Sequence, residues 1–447
     1  MAAGDEPGVG RTVPGGTRWE VALPGDADAV AERAAAQSER YTGAALSRLM
    51  RFMGMVTLEW EAHGAVVRDV HGREYVECGG YGQFLHGHSH PRVVEAVRRQ
   101  AGALALSTRL LPNLPQAEAA ELLAQACPGD LTYSFFCNSG AEAVEGALKL
   151  ARAATGRRAI LATEGAFHGK TFGALSASGK ALYRDPFAPL VEGFHHVPYA
   201  DATALAVAAE ELARAPGGLA AIILEPIQGE GGVVVPPPGY LSTARRLCDR
   251  LGALLVLDEV QTGVGRTGAM FGCEHEGVVP DILATAKSLG GGVMPVGAFV
   301  ARPSCWGPFD ENPFLHTSTF GGAPLACAAA AAALRAVAEE DMLGRARRHE
   351  VTLRQGLGEI AARHTAAVAE VRGRGLLWGL DLRGEGVGGM MLSSLLEAGV
   401  LVVHSLNQPR VIRVMPPAVI TEDQLAFVLE AIDRAAEAAA AVADDLV

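Results

Sequence analysis

Two kinds of apolar pattern divide this 447-residue chain. In the first, short apolar runs without alternation recur between amphipathic stretches: Leu131–Phe136, Ala159–Ala162, Ala220–Leu224, Leu254–Leu257 and Ile282–Ala286. Strands covered on both faces carry such continuous runs, so the pattern predicts an α/β sandwich around parallel strands. Ligands are then expected at the carboxyl ends of those strands. Before this region, Val66–Cys78 reads as a hairpin turning at His71-Gly72. Pro91–Leu104 reads as a helix with Val93, Val94, Val97 and Ala101 on one face. The second pattern fills the last hundred residues, where Val371–Leu382 and Val400–Val414 read as strands. A long closing helix starts at Thr421, with Thr421 and Gln424 at capping-box spacing. This end predicts a separate smaller lobe, completed by the N-terminal segment.

Composition sharpens that division. A chain this long exceeds what one compact core usually holds, and 49% hydrophobic with 20% charged residues is a globular balance. The expected organisation is a partly disordered Gly/Pro/Ala/Glu-rich leader over 1–40 and an N-terminal segment of the small lobe over 41–90. A large domain over 91–340 and a C-terminal small domain over 341–447 follow. The net charge of −12 argues against nucleic-acid or anionic-membrane partners, which need a basic face. No run reaches the roughly 18 apolar residues of a membrane span. The N-terminus also lacks the apolar core of a secretion signal. Seven cysteines, an odd number with no CxxC pair, read as buried apolar groups in a reducing compartment rather than as a disulfide frame or zinc site. A cytoplasmic enzyme without a metal is expected.

Four strand ends carry candidate chemistry. Phe135–Phe136 runs into Asn138-Ser139-Gly140-Ala141 and then a helix, whose free N–H groups and dipole suit a phosphate or other anion. The run ALLVLD ends at Asp258, a carboxylate whose burial demands a positive partner, a metal or a structural ion pair. PDILATAK ends at Lys287 before a glycine run. Burial there lowers a lysine toward the nucleophilic free amine that a Schiff base requires. Phe167, in EGAFHGK, sits where its ring could stack on a flat heterocycle, and His168 reads as packing or support. Gly263-Val264-Gly265-Arg266-Thr267-Gly268 matches GxGxxG, but its spacing from the strand and the sequence after it do not suit a dinucleotide site.

These residues resemble the class III (omega) aminotransferases of pyridoxal-phosphate fold type I. The likeness runs from about Val56 to the C-terminal helix through NSGAEAVEGALKLAR, FHGKT, EPIQGEGG, LDEVQTGVGRTG, PDILATAKSLGGG and TSTFGGAPLAC, in family order. The resemblance implies a large domain with a mostly parallel seven-stranded sheet between helices, and a smaller α+β domain from the two chain ends. It implies pyridoxal 5′-phosphate (PLP) as cofactor, with Lys287 forming its Schiff base and serving as general base. Asp258 would hold the ring nitrogen, Gln261 the phenolic oxygen and Phe167 the ring face, with His168 beside them. The Ser139-Gly140-Ala141 turn would hold the phosphate, and Thr319 would complete that site from the partner subunit of a homodimer. Arg413 would take a substrate carboxylate, with Glu230 neutralising it when an ω-amine enters.

Within the family, YSFFCNSG, EPIQGEGGVVVPPPGYL and NPFLHTSTFGG resemble putrescine (diamine) aminotransferase. Ala141, Ala323 and Leu85 depart from the family pattern, the last near the substrate mouth. The expected reaction passes an amino group between a diamine-like ω-amine and a keto acid such as 2-oxoglutarate or pyruvate. Glutamate-dependent amination of an aldehyde or ketone, ornithine- or acetylornithine-type transfer, and racemisation on the same fold stay open.

Overall fold

The computed structural model describes residues 21–45, 48 and 57–443. Residues 1–20 of the expected leader lie outside them; within the remainder of that stretch, Ala27–Tyr41 is a helix capped by Asp26, which accepts the Ala29 N–H. Three antiparallel strands follow: β1 (Glu59–His63), β2 (Val66–Asp69) and β3 (Glu74–Glu77). The β2–β3 hairpin turns where the sequence suggests, pairing Val66 with Val76, and Gly72 takes a positive φ of 83° in the turn.

The central sheet is built from β4 (Tyr133–Cys137), β5 (Ala159–Thr163), β6 (Phe194–Val197), β7 (Leu219–Leu224), β8 (Leu254–Asp258), β9 (Ile282–Thr285) and β10 (Gly297–Ala301). Their order across the sheet is β4-β10-β9-β8-β7-β5-β6. The sheet is mostly parallel; β10 runs antiparallel to β4 and β9 on either side. All residues of β7 and β9 are buried, which is why these strands are apolar without alternation. The five runs read as strands are all present, shifted at their ends by one or two residues. Two strands went unread: β6, whose His195 and His196 interrupt the apolar signal, and β10, hidden behind the Gly290-Gly291-Gly292 turn.

The second pattern resolves into more pieces than expected. Val371–Leu382 is a hairpin, β11 (Val368–Arg374) and β12 (Leu377–Leu382), reversing at Gly375. Val400–Val414 splits into β13 (Val400–Leu401), β14 (Val403–His404) and β15 (Val411–Val414). The short β13 pairs parallel with β3, so residues from both ends of the chain share one sheet. The helix Glu422–Ala440 carries the expected capping box, Thr421 Oγ1 accepting from Gln424 N and Gln424 Oε1 from Thr421 N. Residues 263–268 form turns and open no helix, in line with the rejection of a dinucleotide site. Among the described residues no helix is long and apolar enough to cross a membrane.

Candidate active site

The carboxyl ends of the parallel strands converge on a cavity of about 290 Å³, lined among others by Gly140, Ala141, Phe167, His168, Asp258 and Lys287. A second cavity of about 390 Å³ shares Gly140 and Lys287 with it and is walled by Phe84, Val293, Met294 and Val296. Together they lie in the size range of small-molecule sites, and Gly140, Asp258 and Lys287 stand at or just beyond the carboxyl ends of β4, β8 and β9.

Lys287 leaves β9 with a φ of +46°, a left-handed conformation that costs a non-glycine residue on the order of 1–3 kcal/mol. Its ammonium has no hydrogen-bond or ion-pair partner among the described residues and faces both cavities. Burial pulls it below the ordinary lysine range, with Arg413 adding to the effect and Glu230 opposing it. An unpaired amine whose charged form is disfavoured by burial suits covalent attachment of an aldehyde.

Asp258, at the tip of β8, is buried. Its Oδ1 accepts the Val260 N–H at 3.0 Å and its Oδ2 meets His168 Nδ1 at 2.7 Å. Burial alone would depress His168, but the hydrogen bond and the charge of Asp258 outweigh it and raise the imidazole above its usual value. His168 therefore bears on the cavity chemistry through Asp258; Phe167, its chain neighbour, also lines the cavity.

At the end of β4, Ser139 caps the Gly140–Thr155 helix by accepting the Glu142 N–H. The N–H groups of Gly140 and Ala141 have no intrachain acceptor among the described residues and lie at the positive end of that helix. Space is tight around them. A methyl on Gly140 would meet Val260 at 2.8 Å, and one on Gly169, whose φ is +124°, would meet Ala141 at 2.6 Å. Bare backbone thus forms the wall, as close approach to a phosphate demands. The free amine, the buried carboxylate, the aromatic face and this anion cradle fit PLP, and the same residues would hold it.

The second set of predicted residues meets at the cavity's other side. Arg413 of β15 donates from Nη1 to Glu230 Oε1 at 2.6 Å and from Nη2 to the His404 carbonyl at 3.1 Å. Glu230 Oε2 accepts the Leu406 N–H at 2.8 Å. Gln261 bridges toward them: its Nε2 donates to the Tyr81 carbonyl, and its Oε1 lies 3.5 Å from Arg413 Nη1. Thr319 lines neither cavity in this chain; it is exposed on the loop after His316.

Two wall residues were not singled out from the sequence. Glu225, directly after β7, is buried and accepts the N–H groups of Phe167 and Gly229 at 3.0 and 3.1 Å. Burial, with the charge of Asp258 adding and that of His168 opposing, pushes its carboxyl up to about 7. The strand-end rule applied to Asp258 finds it equally, since LAAIILE closes an apolar run with an acid. Lys170 supplies a further cation at the cavity wall, its ammonium 4.2 Å from the Tyr183 ring centroid.

The profile of the family Aminotransferase class-III matches residues 53–436. Among solved structures, the chain is similar to the ornithine aminotransferase from Toxoplasma gondii ME49, at 33% identity and a TM-score of 0.84, over 91% of this chain and 95% of that one. A Toxoplasma gondii ornithine aminotransferase crystallised with oxidized glutathione, described with partial PLP occupancy at its active site, is 34% identical with a TM-score of 0.81, over 87% and 92%. The acetylornithine aminotransferase from Elizabethkingia anophelis is 32% identical with a TM-score of 0.78, over 91% and 99%.

Proposed function

Since the chain belongs to the class-III aminotransferases and shares their PLP cofactor and fold type I architecture, we propose that it transfers the amino group of a terminal ω-amine, of the putrescine-like diamine kind, to a keto acid such as 2-oxoglutarate or pyruvate. The observation that carries this reading is the closed Glu230–Arg413 pair. With its guanidinium neutralised, the site receives an amine whose reacting carbon bears no carboxylate. Swinging Glu230 away would free Arg413 to take the carboxylate of the second substrate in a bidentate grip.

The residues divide the work as follows. Bound PLP supplies an electron sink for the carbon that carries the amine. Lys287 would anchor the cofactor, and its Nζ would take the proton from that carbon. Asp258, oriented by His168, would hold the proton on the pyridine nitrogen. Phe167 would bear on the ring, Gln261 on its phenolic oxygen, and the Ser139-Gly140-Ala141 turn on the phosphate. We assign Thr319, exposed in its own chain, to the phosphate site of a second subunit, as the family resemblance implies. The active unit is then a homodimer, with 91–340 as the large domain of each subunit, 41–90 and 341–447 as the small one, working in the cytoplasm.

Lys170 favours a second reading. A cation at the cavity wall suits a donor that carries a carboxylate at its far end, as ornithine or N-acetylornithine does. A single-turnover panel separates the two: PLP-form enzyme is mixed with putrescine, cadaverine, ornithine, N-acetylornithine, 4-aminobutyrate or glutamate, without keto acid. The diamine reading predicts the fastest loss of PLP-form absorbance with putrescine or cadaverine. Faster reaction with ornithine or N-acetylornithine would replace it with the second reading. Reaction with glutamate alone would overturn both.

A further inference from the structure

Glu225 contributes to the cavity wall without bonding to any of the charged residues there; both of its oxygens are taken up by backbone. Oε1 accepts from Phe167 N, on the connection after β5, and Oε2 from Gly229 N, on the connection after β7. Each of these N–H groups belongs to a segment that presents a working side chain. Phe167 lines the cavity. Gly229 precedes Glu230, and its backbone lies so close to Gln261 that a methyl there would collide with Oε1 of that residue. The two connections are also tied elsewhere, directly by Gln228 Nε2 donating to the Glu164 carbonyl at 2.8 Å, and through Asn407, whose Nδ2 donates to the Gly165 carbonyl at 2.8 Å and whose backbone N–H donates to the Glu230 carbonyl at 3.0 Å. Their proximity therefore does not depend on Glu225. What Glu225 adds is the orientation of two particular peptide groups.

We propose that Glu225 is a positioning residue that sets, through these two peptide N–H groups, both the seating of Phe167 against the cofactor and the reach of Glu230 toward Arg413. Cofactor retention and discrimination between carboxylate and terminal-amine substrates are thereby coupled through one side chain that touches neither substrate. The proposal rests on the aminotransferase reading of the cavity and is independent of which donor is used.

Glu225→Gln is the test, made in the full-length enzyme. An amide has one acceptor oxygen, so whichever way it turns, an N–H group of the backbone faces an NH2 and one of the two bonds is lost. The first readout is a titration of the apoprotein with PLP, followed by absorbance. The second is the ratio of KM values for the carboxylate substrate and the terminal amine, with kcat measured alongside, and thermal melting is the structural control. A shift of about tenfold, or about 1.4 kcal/mol, is expected both in PLP affinity and in the KM ratio, with melting within a few degrees. Glu225→Asp keeps both acceptors on a shorter arm and should recover part of the lost selectivity or affinity. Wild-type PLP affinity or a wild-type KM ratio in Glu225→Gln would overturn the coupled role, as would a uniform loss that follows melting in both variants. Absence of PLP binding by the unmodified protein would instead count against the reading of the whole cavity.

Discussion

Arg266 and Arg413 are both shut completely from solvent, and what surrounds each charge separates a structural region from a functional one. Arg266 is held by main-chain carbonyls: Nη1 donates to those of Pro416 at 2.6 Å, Leu376 at 3.3 Å and Met415 at 3.4 Å, and Nη2 to that of Gly82 at 3.2 Å. It hydrogen-bonds to no carboxylate, and burial pulls its guanidinium down to about 10. Four carbonyls from three distant segments make it a staple that keeps the strand-end turns against both chain ends. Arg413 has one carboxylate, one carbonyl and a distant amide oxygen, and it stands beside the cavity. A buried cation satisfied by fixed backbone has nothing to exchange. One satisfied by a single side chain can trade that partner for a substrate of the same charge.

The comparison can be broken at either arginine. Arg266→Met strands several buried carbonyls at once and should lower the unfolding free energy in urea by about 3–5 kcal/mol, leaving the ranking of amine donors unchanged. An altered ranking with intact stability would mean the staple reading is wrong. The cavity's ionisable side is probed through pH. Glu225 has its folded value raised to about 7 from 4.5, so burial favours its protonated form. This group's contribution should cost nothing below about pH 4.5, grow as pH climbs through the window from 4.5 to 7, and lower the apoprotein's stability by about 3 kcal/mol above it. In Glu225→Gln that portion of the decline should vanish, measured by urea unfolding at several pH values; an identical slope would contradict the placement. The smallest effect in free energy is catalytic. Arg413→Met should raise the KM for glutamate or 2-oxoglutarate by about 100-fold, the scale of a lost charge-assisted pair, while the terminal-amine half-reaction changes far less. Equal effects on both substrates would make the pair a fixed ion bridge.

The legible parts of this site are those where one residue breaks a local rule. Asp258 and Lys287 end apolar runs in which a charge has no local reason to stand, and both line the cavity. The fold class was legible for a related reason, because fully buried parallel strands carry no alternation. Glu225 breaks the same rule as Asp258, yet its work is done on peptide groups from two other connections, and no spacing records that. The Glu230–Arg413 contact joins residues 183 positions apart and came from family resemblance alone. β10 escaped because a strand entered from a glycine-rich turn looks like more turn, and β6 because its histidines dilute a short apolar signal. Thr319 has no place in its own chain's cavity, which no reading of one chain can supply.

The central claim, that Lys287 anchors PLP, is tested most directly by borohydride reduction of the holoenzyme followed by peptide mass mapping. The account predicts the cofactor's added mass on the peptide containing Lys287 and its loss in Lys287→Ala, which should also lack turnover. Attachment at another lysine such as Lys170, or normal turnover in Lys287→Ala, would contradict it.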